Sequence, residues 1–329
     1  MKKRFVCWLL VPVLIAATIL PANAAFRFPT QIRTACELPP AGERIVDASS
    51  HGLSPDRKGL DNSKILQRLI NNVSREGGVI YIPAGEYEFA QISTQTIGSH
   101  CIKMRSNVTI RGAGEKTVLK PVGASEKGLD MFYFNKYLDT GEAVYLENCR
   151  FEDFVIDAAG TSCETYTSAG KGFMFNLFRN CHWARVTVKN TDATGFGVDC
   201  PIDSSIVNCV AINCGKAANT ASAGASGFGI GFGYSEEESM LISDCRSIGN
   251  RKFGFFFEHQ GRFNAVKYAA TDCSGFAVKN CTAEGNLYNF GGIRAINTTY
   301  ENCISVAPRG QGFYFERSEN CAVLECTER

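Results

Sequence analysis

Three acidic residues, Asp199, Glu258 and Glu316, share one offset from a recurring dipeptide. Gly followed by a large apolar residue occurs at Gly172-Phe173, Gly195-Phe196, Gly227-Phe228, Gly254-Phe255, Gly292-Ile293 and Gly312-Phe313. If the apolar residue points into a core, strand alternation turns the second and fourth residues after each Gly outward. The second positions read Met174, Gly197, Gly229, Phe256, Arg294 and Tyr314, and the fourth read Asn176, Asp199, Gly231, Glu258, Ile296 and Glu316. Asp199 and Glu258 then lie two repeats apart on one face, flanking a side-chain-free floor of Gly197, Gly229 and Gly231. Stacked strands lie about 4.8 Å apart, so two repeats separate the backbones by roughly 9.6 Å. Carboxylates ~6.5–9.5 Å apart leave room for a water beside a sugar, as inverting hydrolysis requires. Arg294, Asn176 and Glu316 supply polar contacts to a substrate, and Phe256 or Tyr314 could stack on a sugar ring. A charged outer column can also serve only to keep a sheet surface soluble. The glycine floor favours a ligand bed.

The loop Gly233-Tyr234-Ser235-Glu236-Glu237-Glu238-Ser239 follows the middle of that floor. Glu236, Glu237 and Glu238 could bind calcium through carboxylate oxygens, raise a neighbour's pKa by crowding, or simply form a solvated acidic loop. Tyr234 is a candidate proton donor or platform. His259 follows Glu258, and a His at a strand end beside a carboxylate suits a proton shuttle. Strict alternation would instead turn His259 inward as a structural residue. Zinc chemistry has no support, since no Cys-x-x-Cys pair occurs. The glycine-dense stretch from Gly224 to Gly233 lacks the Lys and following helix of a phosphate-binding loop. No Gly-x-Ser-x-Gly elbow occurs.

These residues need a scaffold that repeats. Cys149, Cys181, Cys209, Cys245, Cys281, Cys303 and Cys321 recur in one frame, each preceded by Asn or, once, by Asp244. Three residues upstream stand Leu146, Phe178, Ile206, Ile242, Val278 and Tyr300 ahead of the first six. The intervals fit a unit of roughly twenty residues with variable loops, too short to close its own core. The pattern predicts a single-stranded right-handed parallel β-helix, all-β, with like residues in columns. Cys suits a buried lumen column, and Asn suits turn backbone. Stacked Cβ atoms about 4.8 Å apart exceed the ~3.8 Å of a disulfide. Free thiols are therefore expected for the most part, with local bridges at Cys209/Cys214 and Cys321/Cys326 left open.

An open solenoid end needs a cover. Residues 62–76 carry Ile65, Leu66, Leu69, Ile70 and Val73 on one helical face, with Asn62 or Ser63 to cap the start and Gly77-Gly78 to end it. This predicts an N-terminal α-helical cap. Before it, Lys2, Lys3 and Arg4, the apolar run from Phe5 to Leu20 and Ala22-Asn23-Ala24 predict a signal peptide over residues 1–24, cleaved after Ala24. Residues 25–43 read as an extension, and residues 44–329 as the β-helix. The expected location is secreted or periplasmic, with no membrane span after cleavage.

Composition agrees. Of 329 residues, 45% are apolar and 20% charged, so a packed core is within reach. The balance of 34 basic and 33 acidic side chains argues against nucleic acid as partner. Glycine at 32 and phenylalanine at 23 suit tight turns around an aromatic β core.

The stretch Gly77-Gly78-Val79-Ile80-Tyr81-Ile82-Pro83-Ala84-Gly85-Glu86-Tyr87, with the helix and the residues from Ile45 to Asp61 before it, resembles the N-terminal signature of the pectate-lyase-like superfamily, which includes rhamnogalacturonase/epimerase-like proteins. Asn107-Val108-Thr109-Ile110-Arg111-Gly112-Ala113-Gly114 is similar to its following coil. The resemblance implies a β-helix and a carbohydrate substrate without fixing the reaction. Asn190-Thr191-Asp192 also resembles a polygalacturonase motif, and Gly227-Phe228-Gly229-Ile230 its Gly-His-Gly segment, but Phe228 replaces the His. The paired aspartates and the Arg-x-Lys of those hydrolases are missing.

The expected activity is cleavage, by lyase or hydrolase chemistry, or epimerisation of a polysaccharide, with uronates among its units. Lyase and epimerase chemistry would need a cation on the uronate carboxylate, for which Arg294 or calcium would serve, and proton carriers such as Tyr234 or His259. The alternative is a non-catalytic glycan-binding or surface-adhesion β-helix.

Overall fold

The computed structural model describes residues 44–94, 98–219, 225–260, 273 and 275–329. The predicted leader and residues 25–43 lie outside them. No helix among the described residues is long and apolar enough to cross a membrane.

The chain winds as a right-handed parallel β-helix. One ten-stranded sheet carries β1 (Ser99–Lys103), β2 (Leu129–Phe134), β3 (Phe173–Arg179), β4 (Phe196–Ile202), β5 (Phe228–Phe232), β6 (Phe253–His259), β7 (Tyr288–Ile293) and β8 (Gln311–Glu316), paired in parallel in chain order. A seventeen-stranded set forms the remaining walls. Its strands pair in parallel from coil to coil, as in Ser204↔Met240 and Met240↔Phe276.

The lumen is filled by columns of like residues. Phe132, Phe173, Phe196, Phe228, Phe255, Phe290 and Phe313 stack in succession, with ring centroids 4.7–5.5 Å apart. Each fully buried Phe contributes about 1.5–3 kcal/mol, and offset stacking adds roughly 0.5–1.5 kcal/mol per pair. This explains the chain's heavy use of Phe.

The thirteen described cysteines are free thiols. That includes Cys209, Cys214, Cys321 and Cys326, where the sequence leaves local bridges open. Along the column the backbone N–H of Cys209 donates to Cys245 Sγ, and that of Cys245 to Cys281 Sγ, both at 3.4 Å. Cys303 N–H donates instead to Cys326 Sγ (3.3 Å), so Cys326 rather than Cys321 continues the column. Tyr300 pairs with Val323, which fixes that register. Cys321 lies five residues earlier, and the Asn-Cys pair there imitates the repeat.

The Asn positions before the column lie at a turn. Asn107, Asn148, Asn180, Asn208, Asp244, Asn280 and Asn302 have φ between 50° and 66°. Asn and Asp tolerate that left-handed conformation better than other residues bearing side chains. Neighbouring amides also bond from coil to coil: Asn180 Nδ2 donates to Asn148 Oδ1 at 2.7 Å, and Asn302 Nδ2 to Asn280 Oδ1 at 2.8 Å.

The cap helix α1 spans Gly59–Val73, three residues earlier at each end than expected. Asn62 is not its cap. Its amide lies inside, donating to the carbonyls of Ser54 (3.0 Å) and Glu88 (3.2 Å) and accepting from Ser54 N–H (3.2 Å). Ser63 Oγ donates to Ala90 O at 2.8 Å. Both residues pin the helix to the chain that follows it. At the other end Gly77, at φ +81°, donates its N–H to Val73 O at 2.8 Å and closes the last turn. Ile65, Leu66, Leu69, Ile70 and Val73 form the buried face of this helix.

Candidate functional site

The outer columns of the ten-stranded sheet converge on one cleft of about 340 Å³, lined by Lys171, Thr194, Gly197, Asp199, Gly229, Gly231, Phe256, Glu258, His259, Gln260 and Arg294 among others. Strand register builds it. Asn176 pairs with Asp199, Asp199 with Gly231, and Gly231 with Glu258. Asp199 and Glu258 are therefore two coils apart on one outward column, as the repeat predicts.

The glycines between them are slots rather than a bare floor. Side chains of neighbouring coils fold into the space that a Cβ would fill. A methyl on Gly197 would come within 2.5 Å of Lys171 Cδ, and one on Gly231 would press on Asp199 Oδ1 and lie 2.5 Å from Gln260 Cγ. Asp199, only 6% exposed, accepts the Gly231 N–H through Oδ1 at 3.1 Å. Gln260 Nε2 donates to Glu258 Oε2 at 3.3 Å. Gly231 and Gln260 thus bridge the two carboxylates and fix where each points.

His259 ends β6 in register with the buried Phe232 and borders the cleft. It is half-buried in the cleft wall, edge-on to Phe232 at 5.6 Å. Arg294 also lines the cleft, but not at the expected offset. Phe255 pairs with Phe290 and Phe256 with Gly291, so Asn289, not Gly292, holds the repeat's Gly position. Arg294 follows Ile293, the partner of Glu258, and stands one coil from His259 at the strand ends.

Phe256 lines the cleft with its ring stacked on Phe253 at 4.5 Å. Tyr314 and Glu316 lie two coils beyond Phe256 and Glu258, outside the lining. Tyr314 stacks on Tyr288 at 4.2 Å and donates its hydroxyl to Glu316 at 3.2 Å. One ring face of each aromatic is therefore taken by its neighbour. Asn176 is 1% exposed and also outside the lining, with both amide atoms lacking a hydrogen-bond partner. Tyr234 is half-buried and does not line the cleft.

The three glutamates do not converge as a calcium site. Glu236 and Glu237 are exposed, and Glu237 approaches Arg179 at 4.0 Å. Glu238 is buried and turned inward, where it accepts the backbone N–H groups of Gly233, Tyr234 (2.9 Å) and Ser235 (3.2 Å). Burial pushes its carboxyl up to about 7, against the pull of those N–H bonds. Among the described residues no group of three or more His, Cys, Asp or Glu side chains could hold a metal ion.

Lys171 is a cleft residue outside the outward positions of the repeat, because it precedes the Gly rather than following it. It is 8% exposed, and its stem lies across Gly197. The buried Asp130 carboxylate accepts the N–H groups of Gly170 and Lys171, each at 2.8 Å, and so holds that turn in place. Gln260, one residue past His259, carries no repeat signal at all. Asp192, in the polygalacturonase-like tripeptide, is buried outside the cleft, 3.4 Å from Lys216 Nζ.

Solved structures share this architecture. The A-module of the mannuronan C-5 epimerase AlgE4 of Azotobacter vinelandii superposes with a TM-score of 0.55 at 18% identity, over 86% of this chain and 77% of that one. A tailspike protein mutant of E. coli bacteriophage HK620, in complex with hexasaccharide, gives 0.58 at 15% identity, over 86% and 51%. An iota-carrageenase complexed to iota-carrageenan fragments gives 0.52 at 16%, over 82% and 56%. No curated protein matches in sequence. The family described as rhamnogalacturonase A/epimerase, pectate lyase-like matches residues 45–314, nearly the whole β-helix from the first strand to Tyr314. Because that match covers most of the chain, the chain belongs to the rhamnogalacturonase A/epimerase, pectate lyase-like family.

Proposed function

We propose that the protein is an enzyme that cleaves a polysaccharide in the cleft between Asp199 and Glu258. The observation that carries this reading is the pair of carboxylates two coils apart, each held by its own hydrogen bond and facing one cleft. Two coils separate their backbones by roughly 9.6 Å, and inverting hydrolysis uses carboxyl groups ~6.5–9.5 Å apart. One carboxyl group protonates the leaving oxygen while the other takes a proton from the attacking water, which inverts the anomeric centre. His259 stands next to Glu258 as a further proton carrier. The family membership and the saccharide-bound neighbours support a polysaccharide substrate, and the leader read in residues 1–24 supports action outside the cytoplasm.

A second reading is favoured by the two cations in the same cleft, Lys171 and Arg294. They would neutralise a uronate carboxylate, and His259 would take the adjacent ring proton, giving elimination or epimerisation. Screening acidic and neutral polysaccharides separates the readings. New reducing ends without unsaturated-uronide absorbance identify a hydrolase; that absorbance identifies a lyase; a changed uronate ratio in an uncut chain identifies an epimerase. D199N and E258Q are each expected to lower turnover by about 10²–10⁴-fold. Undiminished product from both variants eliminates the carboxylate mechanism. Binding without any product on the full panel identifies a glycan-binding protein instead.

A further inference from the structure

We infer that Glu238 is a positioning residue for His259, acting through the turn at residues 233–235. The carboxylate of Glu238 gathers three consecutive backbone N–H groups, from Gly233, Tyr234 and Ser235. Its side chain therefore closes the loop on itself and fixes the path of Gly233. Gly233 in turn is a wall of the cleft's histidine. It sits at φ +108°, a conformation that side-chain-bearing residues rarely adopt, and a methyl there would lie 2.5 Å from His259 Nε2. The imidazole thus rests between the backbone of Gly233 and the ring edge of Phe232. Glu238 holds the same turn from behind, at 1% exposure and without lining the cleft.

A buried carboxylate is a costly way to tie a turn, since its desolvation must be offset by charge-assisted hydrogen bonds. Cys200 supplies a further bond to it, and Cys273 Sγ lies 3.8 Å away. Replacing the carboxylate by an amide keeps the shape. It also puts a donor where one of three N–H groups needs an acceptor, so the turn relaxes and the histidine wall moves with it.

This inference rests on the cleft being the working site, but its test does not require the reaction. The chain has four histidines, so ring resonances in the full-length protein can be followed one by one. E238Q is expected to shift and broaden the His259 ring signal, leaving those of His100 and His182 in place. On an active substrate, a displacement of about 1 Å at His259 lowers kcat on the order of 10²-fold with little change in KM. An unmoved His259 signal in folded E238Q overturns the inference, whatever the melting temperature does. Should E238Q not fold, E238D, which keeps the carboxylate but shortens its reach to the turn, probes the same tie, and an unmoved His259 in folded E238D also overturns the inference. If E238Q moves His259 while D199N and E258Q remain fully active, the positioning role stands and the proposed reaction falls.

Discussion

The Asp199 carboxylate occupies the space that a side chain on Gly231 would fill. Its Oδ1 accepts the Gly231 N–H at 3.1 Å, and a Cβ on Gly231 would collide with that same oxygen. Gly231 is not at positive φ, so its smallness, not its backbone freedom, is what the site uses. G231A is expected to keep the fold at a cost of about 1–3 kcal/mol from overpacking. It should lower turnover on the order of 10²-fold by displacing Asp199. Thermal melting and initial rates on whichever polysaccharide the wild-type protein turns over check this, and full activity in a folded G231A would show that Asp199 need not point where it does.

Acid should weaken the fold through two histidines. His100 is 3% exposed and stacked on Tyr133 at 4.7 Å, and His182 is bonded to Ser205 Oγ and Asn180 Oδ1, each at 2.9 Å. Burial, aided by Lys103 and Arg150 respectively, lowers each to about 4. Both groups therefore stay neutral in the folded chain while the unfolded chain takes up a proton near pH 6.5. The unfolded state binds more protons between pH 6.5 and 4, so stability falls as pH drops through that window and does not change on their account above it. The His100 share is at most about 3 kcal/mol. Urea denaturation at pH 7, 5.5 and 4 should show a falling midpoint, with a smaller fall in H100Q; identical slopes in the two chains would remove His100 from the account.

Thiol labelling tests the lumen directly. Cys149, Cys181, Cys209, Cys245, Cys281 and Cys303 are buried, whereas Cys163, Cys321 and Cys326 are half-buried. Burial also pushes the Cys214 thiol up to about 11, which further slows its reaction. Among the described cysteines, a thiol reagent should modify at most the half-buried set in the native protein, and the remainder only after denaturation. Rapid native labelling of the column, or few thiols in denaturant, would contradict a core of reduced cysteines.

The columns were legible because their residue types are demanded by position. Phe and Cys fill a repeating lumen, and Asn relieves a left-handed turn, so their recurrence reads as a coil. The Asp199–Glu258 relation follows from the same count. Arg294 escaped its true place because Gly291-Gly292 offers two glycines, while Asn289 takes the Gly position. Its amide bonds there to Asn286 Nδ2 and Ser305 Oγ, each at 2.9 Å, and stands in for the missing glycine. Lys171 and Gln260 were invisible for another reason. Each reaches the cleft across coils, and no period along the chain records a contact made sideways. Glu238 misled because three adjacent acids look alike in sequence, whereas only one faces the backbone donors of its own loop.

The stacked phenylalanines carry one more implication. Since each ring meets an equivalent ring above and below, a complete turn of the solenoid can be copied or lost and the seam will close on matching surfaces. Growth of the solenoid by duplication of whole coils is therefore mechanically easy, while a half-turn insertion would break the match between like columns along the rest of the β-helix.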